Sequence, residues 1–137
     1  MNFRISDAGL EQDREAIVSL LRNFNQQKRE PSEKIPLGIY YEDENGKKLA
    51  GLVGETFGNW LCIELLFICE ELRGQGIGRK IMETAEETAR KRGCKYAFVD
   101  TYKFQAPGFY KKLGYKEVFA LKEYPYTGER YYYTKEL

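Results

Sequence analysis

Histidine is absent from the 137 residues. With it go the commonest general base, the commonest metal ligand and every Ser-His or Cys-His nucleophile pair. Cysteine is scarce: Cys62, Cys69 and Cys94 have neither the close spacing of a zinc site nor the even number of a disulfide framework. No metal site is expected, and the thiols should be reduced, as in a cytoplasmic protein. No uncharged apolar run approaches the roughly 18 residues that span a bilayer, and residues 1–7 lack the apolar stretch of a secretion signal. A soluble, cytoplasmic chain with no membrane association is expected. Excess charge is missing too: 22 Lys and Arg stand against 21 Asp and Glu, so no overall field draws the chain to nucleic acid or anionic lipid. The basic residues Lys111, Lys112, Lys116 and those at 90–92 are interleaved with acids or close a helix, which speaks against a nucleic-acid partner.

What is present suits one packed core, with 42% hydrophobic residues in a length typical of a single domain spanning 1–137. Residues 2–5 read as a short strand. A helix follows in which Ile17, Leu20, Leu21 and Phe24 form a stripe expected to be core. Residues 26–36 are polar and aperiodic, a loop or poorly formed helix. Residues 38–42 and 48–56 flank Asn45-Gly46, a two-residue hairpin signal. Gly58-Asn59 then leads into a third antiparallel strand over 60–69. A helix over 76–92 carries Ile77, Ile81, Ala85 and Ala89 on one stripe, with Glu86, Glu87, Arg90 and Lys91 outside it as i, i+4 pairs. Gly93 ends that helix, and residues 95–101 read as a buried strand, so strand, helix and strand imply a parallel crossover. A short helix over 106–113 and strands over 115–121 and 129–134 complete an α/β (α+β) chain with a mixed, mostly antiparallel sheet and flanking helices.

Chemistry concentrates at residues 65–80, where a strand passes through Arg73-Gly74-Gln75-Gly76-Ile77-Gly78 into a helix. The glycines let the backbone approach closely, and unpaired amides at a helix N-terminus favour an anion. A pyrophosphate fits such a turn, with Arg73, Arg79 or Lys80 adding charge. It is not a P-loop, since no Gly-Lys-Ser/Thr follows at the required spacing. It is not a dinucleotide fingerprint either, because Arg79 stands where that pattern needs glycine.

The same residues match the Arg/Gln-x-x-Gly-x-Gly/Ala signature, so the chain resembles the GCN5-related N-acetyltransferases (GNAT). Phe109-Tyr110-Lys111-Lys112-Leu113-Gly114-Tyr115 looks like that family's second motif. The resemblance implies the acyl-CoA N-acyltransferase fold and acetyl-CoA as co-substrate. It implies that Phe67 and Ile68 bind the pantetheine arm through free backbone groups, and that Arg73, Gly74, Gln75, Gly76, Ile77, Gly78 and Arg79 hold the pyrophosphate. A backbone amide near Ile68 would stabilise the oxyanion. Tyr110 takes the family position of the acid that serves the departing thiolate. Glu64 takes that of the base, with water leading to Glu70, Glu71 or a tyrosine as the other route. Cys69 near the thioester reads as a small packed side chain. Where the family commonly has asparagine, Lys103 stands, and the neighbouring residues 104–107, with Gln105 supplying the amide, are the replacement. Residues 124–128 and Tyr131, Tyr132 and Tyr133 line an acceptor pocket, join a homodimer, or pack as ordinary strand residues. A small-molecule primary amine is the expected acceptor, attacking directly in a ternary complex; the alternative is an acyl-CoA-binding regulatory module with the same fold and no turnover.

Overall fold

Period-2 apolar patterns make six strands here, and the helices are placed where that period gives way to 3.6. The computed structural model describes every residue except Arg29, Pro31 and Phe104. Its elements are α1 (Glu11–Lys28), β1 (Lys34–Glu42), β2 (Lys48–Phe57), β3 (Trp60–Ile68), a single 3-10 turn (Glu70–Leu72), α2 (Ile77–Lys91), β4 (Tyr96–Tyr102), α3 (Pro107–Lys112), β5 (Lys116–Lys122) and β6 (Glu129–Glu136). The chain forms two compact units, Met1–Pro31 and Ser32–Leu137.

In the first unit α1 runs to Lys28, so the polar residues 26–28 are helical instead of loop. Residues 2–5, expected as a strand, join no ladder. Taken by itself, this unit buries none of the stripe at Ile17, Leu20, Leu21 and Phe24. Of the expected loop over 26–36, Arg29 and Pro31 lie outside the described residues, and residues 34–36 belong to β1.

The second unit is a mixed α/β fold with one six-stranded sheet in the order β1-β2-β3-β4-β6-β5. Only the β3/β4 pair is parallel, through the α2 crossover; every other neighbour is antiparallel. The loop between β1 and β2 is longer than two residues because Asp43 organises it. Its carboxylate accepts the amides of Asn45 at 2.8 Å and Lys47 at 2.9 Å, so a side chain does the work that the Asn-Gly pair was expected to do alone. Gly58-Asn59 does form the tight link between Phe57 and Trp60.

The core lies between the sheet and α2. Leu52, Leu61, Ala97, Met82, Ala85, Ala89 and Tyr133 are fully enclosed there, and each large side chain contributes about 1.5–3 kcal/mol by leaving water. Glu86 departs from the sequence expectation of an exposed helix face: it is buried on α2. A buried carboxylate needs partners, and it has them: the Tyr115 hydroxyl at 2.8 Å and Lys135 Nζ at 2.8 Å, with Arg90 at 3.9 Å. The Glu87 pair with Lys91, at 3.5 Å, stays on the surface.

Candidate active site

The parallel ladder between β3 and β4 holds for three residue pairs, Trp60/Tyr96, Leu61/Ala97 and Cys62/Phe98, and then stops. Both strands continue, β3 to Ile68 and β4 to Tyr102. Between them opens a wedge whose walls are unpaired strand edges in the middle of a sheet. Such an edge is costly unless something hydrogen-bonds it.

The register says which peptide groups face the wedge. Cys69 donates its amide to Leu49 O at 2.9 Å, which makes that pair a hydrogen-bonded one. Alternation along an antiparallel ladder then turns Phe67, opposite Gly51, toward β2, and turns Leu66 and Ile68, opposite Leu52 and Ala50, toward the wedge. Phe67 therefore has its peptide groups in the β2 ladder, and Leu66 rather than Phe67 joins Ile68 on the open edge. The Phe67 side chain is exposed on the face away from α2. On the other wall, Leu137 donates to Lys95 O and Lys103 to Glu129 O, so Lys95, Ala97, Val99, Thr101 and Lys103 pair with β6 while Asp100 and Tyr102 face the wedge.

At the wide end stands the glycine-rich turn. Gly74 and Gly76 have φ of +77° and +80°, a left-handed conformation that strains any residue with a Cβ. They aim the backbone so that, among the described residues, the amides of residues 74–79 have no acceptor, the first intrahelical bond being Lys80 to Gly76 O at 3.1 Å. Gly76 caps α2 without a side chain. Gly78 serves packing: a Cβ there would sit 3.1 Å from Ile68 Cδ1 and 3.2 Å from the Phe109 ring, so it brings α2, α3 and the end of β3 together. Gln75 is tied back, its Nε2 donating to Glu71 O at 3.0 Å. Arg79 pairs loosely with Glu83 at 3.5 Å on the surface. Arg73 Nε donates to Ile68 O at 3.1 Å.

Tyr110, on α3, is buried against Phe109, Tyr115 and Tyr133 at ring separations of 5.2, 6.0 and 6.2 Å. Burial, and secondarily the charge of Asp100, push its phenol up to about 12. The hydroxyl has no hydrogen-bond partner among the described residues. Glu64 is the extra residue of a bulge: Leu65 pairs with Val53 and Ile63 with Gly54, which leaves Glu64 unpaired. It is exposed and lies two residues beyond the last β3/β4 pair. By strand alternation it projects on the sheet face away from α2, while Tyr110 packs on the α2 side. Cys69 is half-buried, and the Glu71 carboxyl is held below its usual range chiefly by its own backbone amide and then by the Cys69 thiol.

Asp100 carried no sequence signal, whereas Gln105 did. Asp100 accepts Arg130 Nε on Oδ2 at 2.7 Å, and the guanidinium lies 5.2–5.5 Å from the rings of Tyr102, Tyr124 and Tyr132. Gln105, the expected replacement for the family asparagine, accepts on its Oε1 from Tyr102 N at 2.8 Å and Thr101 Oγ1 at 3.1 Å, while its backbone amide donates to Tyr102 O at 3.0 Å. It closes the β4 edge as a strand partner would, and among the described residues its Nε2 has no partner. Phe104 lies outside the described residues. Beside this end of β4 is a cavity of about 390 Å³ lined by Lys103 and residues 124–129. Among the described residues no cluster of three or more His, Cys, Asp or Glu is placed to hold a metal, and no helix is long and apolar enough to cross a membrane.

A model of the acetyltransferase (GNAT) family matches residues 7–115. The chain belongs to the GNAT acetyltransferases. It is 38% identical over 121 residues to acetyltransferase Atu2258 of Agrobacterium fabrum, covering 88% of both chains. It is likewise 38% identical over 94 residues to the blasticidin-S acetyltransferase of Streptomyces morookaense, covering 66% of this chain and 69% of that one. A crystal structure of an acetyltransferase from Agrobacterium tumefaciens superposes over the full length of both chains with a TM-score of 0.94 at 34% identity. As a GNAT enzyme the chain is an acetyl-CoA-dependent acetyltransferase, and the wedge fits that co-substrate: unpaired strand edges suit an amide-bearing arm, and unbonded helix N-terminal amides suit phosphate.

Proposed function

We propose that this acetyltransferase carries the acetyl group of acetyl-CoA to a primary amine of a small molecule, by direct attack in a ternary complex. The observation that carries this reading is the early end of the β3/β4 ladder. Leu66 and Ile68 offer peptide groups to the pantetheine arm, and the amides of residues 74–79, backed by the α2 dipole, take the pyrophosphate with Arg73 and Arg79 adding charge. Gln75 and Ile77 contribute backbone only, since the Gln75 side chain is engaged with Glu71.

The two faces of the wedge divide the chemistry. Glu64, on the face away from α2, accepts the proton the amine must lose, directly or through water, as the C–N bond forms. Tyr110, on the other face, serves the sulfur as the C–S bond breaks. A phenol raised to about 12 stays protonated at every working pH, so it is always a donor. It is a weaker acid than an ordinary thiol of pKa about 8.5, so it stabilises the departing thiolate by a hydrogen bond more than by completed proton transfer.

The Streptomyces morookaense relative, whose name gives blasticidin S as its substrate, supports a small acceptor, and the cavity beside residues 124–129 has room for one. Three free cysteines support a reducing, cytoplasmic setting, and exposed Val118 and Phe119 on edge strand β5 support a homodimer through that edge. The test is release of free thiol from acetyl-CoA across a panel of small amines, with Glu64→Gln beside the wild type. Amine-dependent release, lowered in the variant mainly toward acid pH, is expected; no release with any amine would refute turnover.

A further inference from the structure

Arg73 occupies a group that the wedge needs. Register turns the Ile68 carbonyl away from β2 into the opening, yet it is already engaged by Arg73 Nε at 3.1 Å. The side chain reaches it by folding back from the end of the 3-10 turn, where Arg73 has extended backbone at φ −68° and ψ 148°. No carboxylate forms a salt bridge with this guanidinium among the described residues; Glu71 feels its charge only through space, at the edge of a turn full of unbonded amides. The opposite wall is closed differently: Gln105 is neutral and bonds Tyr102 at both its amide and its carbonyl, an arrangement that an arriving anion has no reason to disturb. A guanidinium on a neutral carbonyl, by contrast, gains when a phosphate offers a charged acceptor in its place.

Resting on the acyl-CoA reading of the wedge, we propose that Arg73 moves between two acceptors, the Ile68 carbonyl in the free protein and the pyrophosphate in the complex, and thereby selects donors that carry a pyrophosphate. A thioester that lacks one leaves Arg73 on Ile68, and its pantetheine arm meets an edge with one acceptor blocked. The pyrophosphate draws the guanidinium off and frees the edge. By linkage each half of the co-substrate strengthens binding of the other by the same factor.

The opposed signs for two donors make the test. Wild type and Arg73→Met are titrated calorimetrically with acetyl-CoA and with acetyl-pantetheine, the latter with and without inorganic pyrophosphate. Arg73 is exposed, so the variant should melt at the wild-type temperature. Arg73→Met is expected to bind acetyl-pantetheine roughly fivefold tighter and acetyl-CoA roughly tenfold weaker, the scale of one charge-assisted hydrogen bond moved. Pyrophosphate should tighten acetyl-pantetheine binding to the wild type and leave the variant unaffected. Acetyl-pantetheine binding that is unchanged, weaker or undetectable in Arg73→Met overturns the proposal, as does a wild type indifferent to pyrophosphate. A wild type that binds no acetyl-CoA would instead sink the acyl-CoA reading itself.

Discussion

Tyr110 shows how one residue's surroundings set its role. The same ring contacts that bury it against Tyr115 and Tyr133 raise its phenol to about 12, because burial strips water from the phenolate and the charge of Asp100 further opposes it. It is thus kept as a donor and denied the role of base. Tyr110→Phe should lower turnover roughly 10- to 100-fold, the range for a hydrogen bond to a charged group, while the calorimetric affinity for acetyl-CoA stays near wild type. Unchanged turnover would assign the ring to packing alone. Asp100 illustrates the opposite lesson. Nothing in its neighbours along the chain marks it, because its partner Arg130 arrives from another strand through the β4/β6 register.

At the scale of elements, the strand-turn-helix around residue 76 was legible because its signals are local: a period-2 strand, glycines where φ must be positive, and a 3.6-period stripe. The crossover through α2 and the later helix α3 were legible for the same reason. What escaped depends on pairing. The open edge belongs to Leu66 and Ile68 instead of Phe67 and Ile68 because a bulge at Glu64 and the Cys69/Leu49 bond fix the phase of β3, and phase cannot be read from one strand. Glu86 fell on the polar side of its helix by pattern yet is buried, because Lys135 and Tyr115 come from elsewhere to meet it. The turn itself gives a test. Gly76→Ala has open space for its methyl group but must hold φ near +80°, at about 1 kcal/mol of strain. Acetyl-CoA should bind it markedly more weakly, since the methyl group and any relaxation both disturb amides aimed at phosphate; calorimetry with a parallel thermal melt separates the two effects. Wild-type affinity would make the turn merely structural.

For the whole molecule, burial of phenols links stability to pH. Tyr110, Tyr115 and Tyr133 are all raised, chiefly by desolvation, so in alkali the folded state holds protons that the unfolded chain, titrating near 10, has released. Their contribution is fully present below pH about 10 and is lost as pH rises, for Tyr110 through about 12. The melting temperature should fall steeply above pH about 10, and less steeply in Tyr110→Phe; identical alkaline slopes would contradict that origin. Every step of the proposed chemistry requires that the wedge where β3 leaves β4 receive acetyl-CoA. The most direct measurement is the amide proton-nitrogen spectrum of the protein titrated with acetyl-CoA. One-to-one binding is expected, with the largest shifts at Leu66, Ile68 and residues 74–79, and smaller ones at Phe67, whose amide is held in the β2 ladder. Absence of binding, or shifts that spare residues 74–79 and gather elsewhere, would contradict it.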